Sequence, residues 1–236
     1  MEQARTAASV SGAPPTMFNI RERIATQWAI AKKHLMLVLV LVGVLWAVFI
    51  LDFLLPNSWI ELSAFAIHPR TFSGLLCIVT APFLHVDLWH LMGNTMGLVI
   101  LGWILVMSGR VILLQVCLVT AIISGLGAWA FGEGGVGHEG ASGVLYGMIG
   151  FLLARGWFAR RLLWTLAALL VGVMHLGQML ALLRNDPNIS WSSHFWGLVG
   201  GIGMAWWLYG RNAPPPPAAA TGPVPSPNTK GVPPRT

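Results

Sequence analysis

Charge is what this 236-residue chain has little of: Asp, Glu, Lys and Arg together make up 9% of it, against about 25% in an ordinary soluble domain. With 56% hydrophobic residues, that scarcity excludes a water-soluble core and implies a multi-span membrane protein. Cysteine is nearly absent too. Cys77 and Cys117 give neither a disulfide framework nor a metal site. No cleavable signal-peptide pattern precedes the first apolar stretch, and polar residues 1–34 are too long for an n-region, so that stretch is expected to stay as an anchor. The His-Glu-x-x-His signature of metalloproteases is missing. Gly-x-Ser-x-Gly is missing as well, because position 144 is Val, which removes the soluble α/β-hydrolase elbow. A transporter remains open on helix count, but no internal repeat is evident. The net charge of +6 comes from basic residues spread over loops and termini rather than one face, so nucleic acid is not an expected partner.

What is present is a series of long apolar runs. A helix needs about 20 residues to cross a ~30 Å hydrocarbon core, and runs at approximately 35–55, 88–107, 111–130, 162–182 and 191–209 qualify. A sixth, roughly 140–154, is shorter and opens with glycines. The expected fold is therefore an all-α bundle of six transmembrane helices over residues 35–210, between a cytoplasmic segment 1–34 and a tail 211–236. With the N-terminus inside, the cytoplasmic segments hold Arg5, Arg21, Arg23, Lys32, Lys33, Arg110, Arg155, Arg160, Arg161, Arg211, Lys230 and Arg235, and the outer loops only Arg70 and Arg184. This twelve-to-two distribution orients both termini to the cytoplasm, and the plasma membrane is the expected location. Residues 56–84 form a long semi-apolar outer loop expected to lie in the interface. The tail, with Pro214–Pro217 and further prolines, favours extended polyproline and cannot build a core.

Polar groups then align. Counted at ~1.5 Å per residue from the cytoplasmic end of each span, Ser142 lies at roughly 18 Å, His194 at roughly 22 Å, Asn94 at roughly 20 Å and His90 at roughly 26 Å. His90 and Asn94, spaced i and i+4, share one helix face. A hydroxyl and an imidazole at one depth point to a serine hydrolase working inside the bilayer, where polar residues are functional candidates. If the short span starts below the outer boundary, its first-turn N–H groups face Ser142 and favour an oxyanion. The non-helical chain from Gly132 to Gly140 is then tolerable only if it is buried or lines a wet cavity. Each residue also has a structural reading: Ser142 as helix packing, His194 as an interhelical hydrogen bond, and His175 with Gln178 as a structural pair. Gly197 and Gly201 read as close helix packing. Glu133, His138 and Glu139 read as solvated loop polarity, with no metal or other cofactor expected.

With these residues in place the chain resembles the rhomboid family of intramembrane serine proteases over roughly residues 35–210. The resemblance rests on His85-x-x-x-x-His90-x-x-x-Asn94, Gly140-Ala-Ser142-Gly-Val-Leu-Tyr146-Gly and His194-x-x-Gly197-x-x-x-Gly201, in order on the second, fourth and sixth spans. It implies Ser142 as nucleophile and His194 as general base without a third acidic member. It also implies His90 and Asn94 at the oxyanion, Tyr146 against the His194 ring, and Gly197 with Gly201 against the Ser142 helix, with Gly140 supporting the site. His85 takes a more structural role. The implied substrates are transmembrane proteins, cut in or near their spans. The family's Trp-Arg pair falls at Leu76 and Cys77, and its acidic-arginine motif is replaced by Leu105-Val-Met-Ser-Gly109-Arg110. A rhomboid-like protein that binds membrane clients without cutting them is the alternative.

Overall fold

In the computed structural model, residues 17–55, 61–181 and 190–211 are described. Residues 212–236 of the expected tail, and Trp59, Ile60 and Arg184 of the expected outer loops, lie outside them. The described chain is all-α: α1 (Met17–Leu54), α2 (Phe72–Leu76), α3 (Leu88–Val106), α4 (Arg110–Phe131), α5 (Ser142–Ala159), α6 (Leu162–Met174), α7 (Leu176–Ala181) and α8 (Trp191–Ala205). Two short 3₁₀ turns, Leu62–Phe65 and Ala81–Phe83, flank α2, and a π turn, Trp206–Gly210, follows α8. Among the described residues four helices are long and apolar enough to cross a membrane: Lys32–Leu54 of α1, α3, α4 and α5. Their outward-facing Leu, Val, Met and Trp side chains are what a multi-pass membrane protein turns to lipid.

The centre of the bundle is α5. Two-thirds of its apolar window is buried, 67% against 11% for α1, which packs at the edge against α3. Phe151, Met148, Ile149 and Leu152 from α5 meet Leu101 and Leu105 from α3 and Leu113 and Val116 from α4 in one core. Helices in lipid gain little from apolar burial, so close backbone approach has to supply the packing. Here α5 and α8 provide it through glycine: a Cβ on Gly197 would collide with the Gly143 carbonyl, and one on Gly201 with the Gly147 carbonyl.

One helix is longer than its sequence suggests. The reading that ends the fourth span at Ala154 treats Arg155 as cytoplasmic, but α5 continues to Ala159 and Arg155 is 7% exposed. Its guanidinium lies 3.3 Å over the Trp164 ring and 4.6 Å over Tyr209. Two aromatic faces can replace part of the charge's hydration, so the helix carries this cation inside. At ~1.5 Å per residue α5 then spans roughly 27 Å, and the expectation of a markedly short span does not hold. Conversely, the run at 162–182 is interrupted: α6 ends at Met174, His175 leaves helical geometry (φ −106°, ψ 12°), and α7 restarts at Leu176.

The described part of the connection between α1 and α3 is tied down from several sides. Ile67 and His138 exchange backbone hydrogen bonds at 2.9 Å. Arg70, at φ 59°, donates through Nη1 to the Gly132 carbonyl at 2.9 Å, and Trp129 Nε1 donates to the Thr71 carbonyl at 2.7 Å. Ile67, Cys77, Ile78, Ala81 and Ala128 form a small second core beneath it, while Phe72, Leu76 and Val79 point outward. That apolar outer face suits the interfacial placement read from sequence.

Candidate active site

Ser142 is the first residue of α5, and no side chain caps that helix end. The turn before it depends on Gly140, whose φ of +108° a side chain rarely adopts. A Cβ there would also sit 2.6 Å from the His90 ring and 3.4 Å from Asn94 Nδ2. Gly140 N–H donates to the Ala81 carbonyl at 2.9 Å, so the turn is anchored to the connection between α1 and α3. Of the stretch from Gly132 to Gly140, Gly132 and His138 are buried, Glu139 and Gly140 are half-buried, and residues 133–137 are exposed.

His194, one turn into α8, brings Nε2 to 2.8 Å from Ser142 Oγ. His194 is 9% exposed, and its Nδ1 is buried with no partner among the described residues. The Tyr146 ring, one turn along α5 from Ser142, stacks on the imidazole with centroids 4.2 Å apart and planes 14° from parallel. Ring stacking fixes the imidazole plane where no carboxylate does so.

His90 and Asn94 come from α3. Asp87 caps that helix by accepting from His90 N–H at 2.8 Å. Asn94 is buried, and its Nδ2 has no hydrogen-bond partner among the described residues; leaving a buried amide N–H unpaired costs about 1–3 kcal/mol. Behind them His85 meets the His90 ring edge-on at 5.2 Å, with its Nδ1 3.3 Å from the Phe83 carbonyl. A carbonyl only accepts, so Nδ1 carries the proton. Burial, and then neighbouring His90, pull His85 down to about 4.

A cavity of about 160 Å³ opens beside Ser142 between α3, α5 and α7, lined by Trp89, His90, Gly93, Asn94, Ser142, Leu145, Tyr146, Ile149 and Gln178. The structure thus brings together Ser142, His194, His90, Asn94, Tyr146 and Gly140, with Gly197 and Gly201 at the α5–α8 contact. Sequence reasoning missed Gln178 as a wall residue. Its only signal was a polar side chain three residues beyond His175 in an apolar run. The solvated-loop reading of His138 is corrected: it is buried, with Nε2 3.2 Å from the Glu133 carbonyl, and burial lowers its pKa. Glu139 is pushed up by burial and then by Asp52. Among the described residues no three His, Cys, Asp or Glu side chains are grouped to hold a metal ion.

Comparison with known proteins finds relatives of the chain. The Rhomboid domain family matches residues 73–211. An uncharacterized protein of Mycobacterium tuberculosis is 32% identical over 180 residues, covering 72% of this chain and 73% of that protein. An uncharacterized protein of Mycobacterium bovis matches to the same extent. One of Mycobacterium leprae is 30% identical over 141 residues, or 54% of each chain.

Proposed function

Because the chain belongs to the rhomboid family, we propose that it is an intramembrane serine endopeptidase that cuts transmembrane proteins in or near their spans through Ser142 and His194. The observation that carries the proposal is the 2.8 Å contact between His194 Nε2 and Ser142 Oγ. Serine is a weak nucleophile until a base within hydrogen-bond reach takes its proton. Ser142 Oγ attacks the scissile carbonyl carbon while His194 Nε2 accepts the hydroxyl proton. The carbonyl oxygen becomes an oxyanion, received by the Ser142 backbone N–H, the Asn94 amide and His90. Collapse breaks the C–N bond, and His194 returns the proton to the leaving amine. The acyl-enzyme then takes up water by the same base, releasing the acid and restoring Ser142. No metal or other cofactor enters the scheme.

The proposal extends to architecture. The α6–α7 run and α8 with its π turn each cover roughly 20 residues, about 30 Å, enough to serve as fifth and sixth crossings beside the four long helices. The basic-residue distribution then sets both termini in the cytoplasm and the site toward the outer face of the plasma membrane, within a domain covering residues 35–210. Labelling of purified protein with a fluorophosphonate tests the reading: wild type should be modified at Ser142 and the His194→Ala protein should not, and an unlabelled, correctly folded wild type would refute it.

A further inference from the structure

At the end of α5 away from Ser142 the bundle holds a buried cation. Arg155 is 7% exposed, and among the described residues its Nε and Nη1 are buried with no hydrogen-bond partner. The Trp164 and Tyr209 rings attract the charge across their faces. Guanidinium N–H donors nevertheless lie in the plane of the group and want acceptors. The sequence offers no carboxylate nearby. From residue 88 onward the acidic residues are Glu133 and Glu139, which precede α5 at its Ser142 end, and Asp186, between α7 and α8. The end where α5 meets α6 instead carries Arg155, Arg160 and Arg161, with Arg211 following the π turn. A buried charge left unpaired is costly, so this end of the bundle favours an anion.

The turn between α5 and α6 gives the anion a seat. Arg160, at φ 47°, ends α5, and Arg161 begins α6 without a side-chain cap. The Leu162 and Leu163 N–H groups have no acceptor within their helix, whereas those of Trp164 and Thr165 donate to the Arg161 carbonyl. Trp164, whose ring lies 3.3 Å from the Arg155 guanidinium, belongs to this same first turn, so the buried charge backs the helix end. Arg155 also feels the charge of exposed Arg161, a repulsion that a shared anion relieves. Open N–H groups, a positive helix end and two guanidinium groups match a phosphate. Around them Trp157, Leu162, Leu163 and Leu166 are exposed, which suits acyl chains better than water. We propose that the α5–α6 turn is a binding site for the phosphate of an anionic phospholipid, held by the Leu162 and Leu163 N–H groups and by Arg161, over the charge of Arg155. A zwitterionic headgroup is disfavoured, because its ammonium would face these arginines. The inference does not depend on proteolysis.

Thermal unfolding of the full chain in detergent micelles, with phosphatidylglycerol, phosphatidylcholine of the same chains or inorganic phosphate added, tests the site. Phosphatidylglycerol should raise the melting temperature saturably, and the other two should not. Arg161→Gln, at an exposed position, should raise the apparent Kd for phosphatidylglycerol about fivefold, the effect of one basic residue at an anionic headgroup. Arg110→Gln, at the α3–α4 turn, should leave it unchanged. Arg155→Met keeps an unbranched chain against the two rings but carries no charge. It should lose most of the lipid response while its lipid-free melting temperature holds or rises. Equal protection by phosphatidylcholine or by inorganic phosphate would overturn the inference, as would the same loss in Arg110→Gln, the mark of unspecific attraction. So would an Arg155→Met protein that melts early yet keeps the full lipid response, since Arg155 would then only bind the helices together.

Discussion

Tyr146 lies flat against His194, with ring centroids 4.2 Å apart and planes 14° from parallel. Its hydroxyl meanwhile donates to the Gln178 carbonyl at 2.7 Å. The two contacts can be taken apart. Tyr146→Phe keeps the stack and loses only the hydroxyl bond, so kcat/KM on a membrane substrate should fall by no more than about tenfold. Tyr146→Ala frees the imidazole to rotate and opens a void beside it, and should cost at least about a hundredfold. Equal losses in both variants would remove the stack from any role in orienting the base.

Ser142→Ala and His194→Ala should each abolish cleavage, with the protein still folded in membranes, because nucleophile and base act as a unit. Asn94→Ala should lower kcat by about 10²–10³ and leave measurable activity, since it removes one oxyanion donor among several. Wild-type activity should survive EDTA. Proteolysis of a model span, followed on gels with and without chelator, checks all four outcomes; cleavage by the Ser142→Ala protein would sink the mechanism.

Much of this architecture is legible in the sequence, because apolar length and depth survive folding. Ser142, His194, His90 and Asn94 align simply by counting residues along spans. What could not be counted was tertiary. Arg155 reads as a loop cation until Trp164 and Tyr209 close over it. His138 reads as loop polarity until Ile67 pairs with its backbone and buries it. The break at His175 carries no proline or glycine signal at that residue, so Gln178 reads as the structural partner of His175 in a continuous span rather than as the wall of a cavity.

Two buried loop histidines, His85 and His138, are expected to make the fold acid-sensitive. His85 is lowered to about 4 and His138 is lowered by burial as well. Between about 6.5, the ordinary histidine value, and about 4, the unfolded chain binds protons that the folded His85 refuses, so stability increases with pH across that window and is lost as pH falls through it. Glu139, whose pKa is raised, acts in the opposite sense, costing stability as pH rises above the ordinary carboxylate range. Thermal unfolding in micelles should therefore show a melting temperature that falls from pH 7 to pH 4. His85→Gln should flatten that fall, and an unchanged slope in this variant would refute the assignment.

Topology offers a test that needs no activity. Single cysteines introduced into a Cys77→Ala, Cys117→Ser background at Lys230 and at Arg70 should label from opposite sides of the membrane, the first only after permeabilisation of cells. Labelling of both from outside would overturn the twelve-to-two charge argument and the proposed placement of the site near the outer face.

Three glycines on one helix separate backbone contact from helix propensity. On α8 a Cβ at Gly197 would meet the Gly143 carbonyl and one at Gly201 the Gly147 carbonyl, whereas Gly203 has nothing within 4 Å. Replacing glycine by alanine inside a helix favours the helix by about 1 kcal/mol where there is room. Overpacking a close contact costs about 1–3 kcal/mol, and the obstacle here is backbone, which cannot swing aside as a side chain can. Gly203→Ala should therefore leave the melting temperature unchanged or slightly raised, and Gly197→Ala and Gly201→Ala should lower it. The Gly197 change should also cut activity beyond its effect on stability, because Gly197 lies one turn from His194 and touches Gly143, the neighbour of Ser142. Pushing the helices apart there lengthens the 2.8 Å contact between Nε2 and Oγ. Fluorophosphonate labelling rates measured well below each variant's melting temperature separate the two effects. A Gly197→Ala protein that melts early but is labelled at the wild-type rate would show that the α5–α8 contact holds the bundle together without setting the geometry of the site.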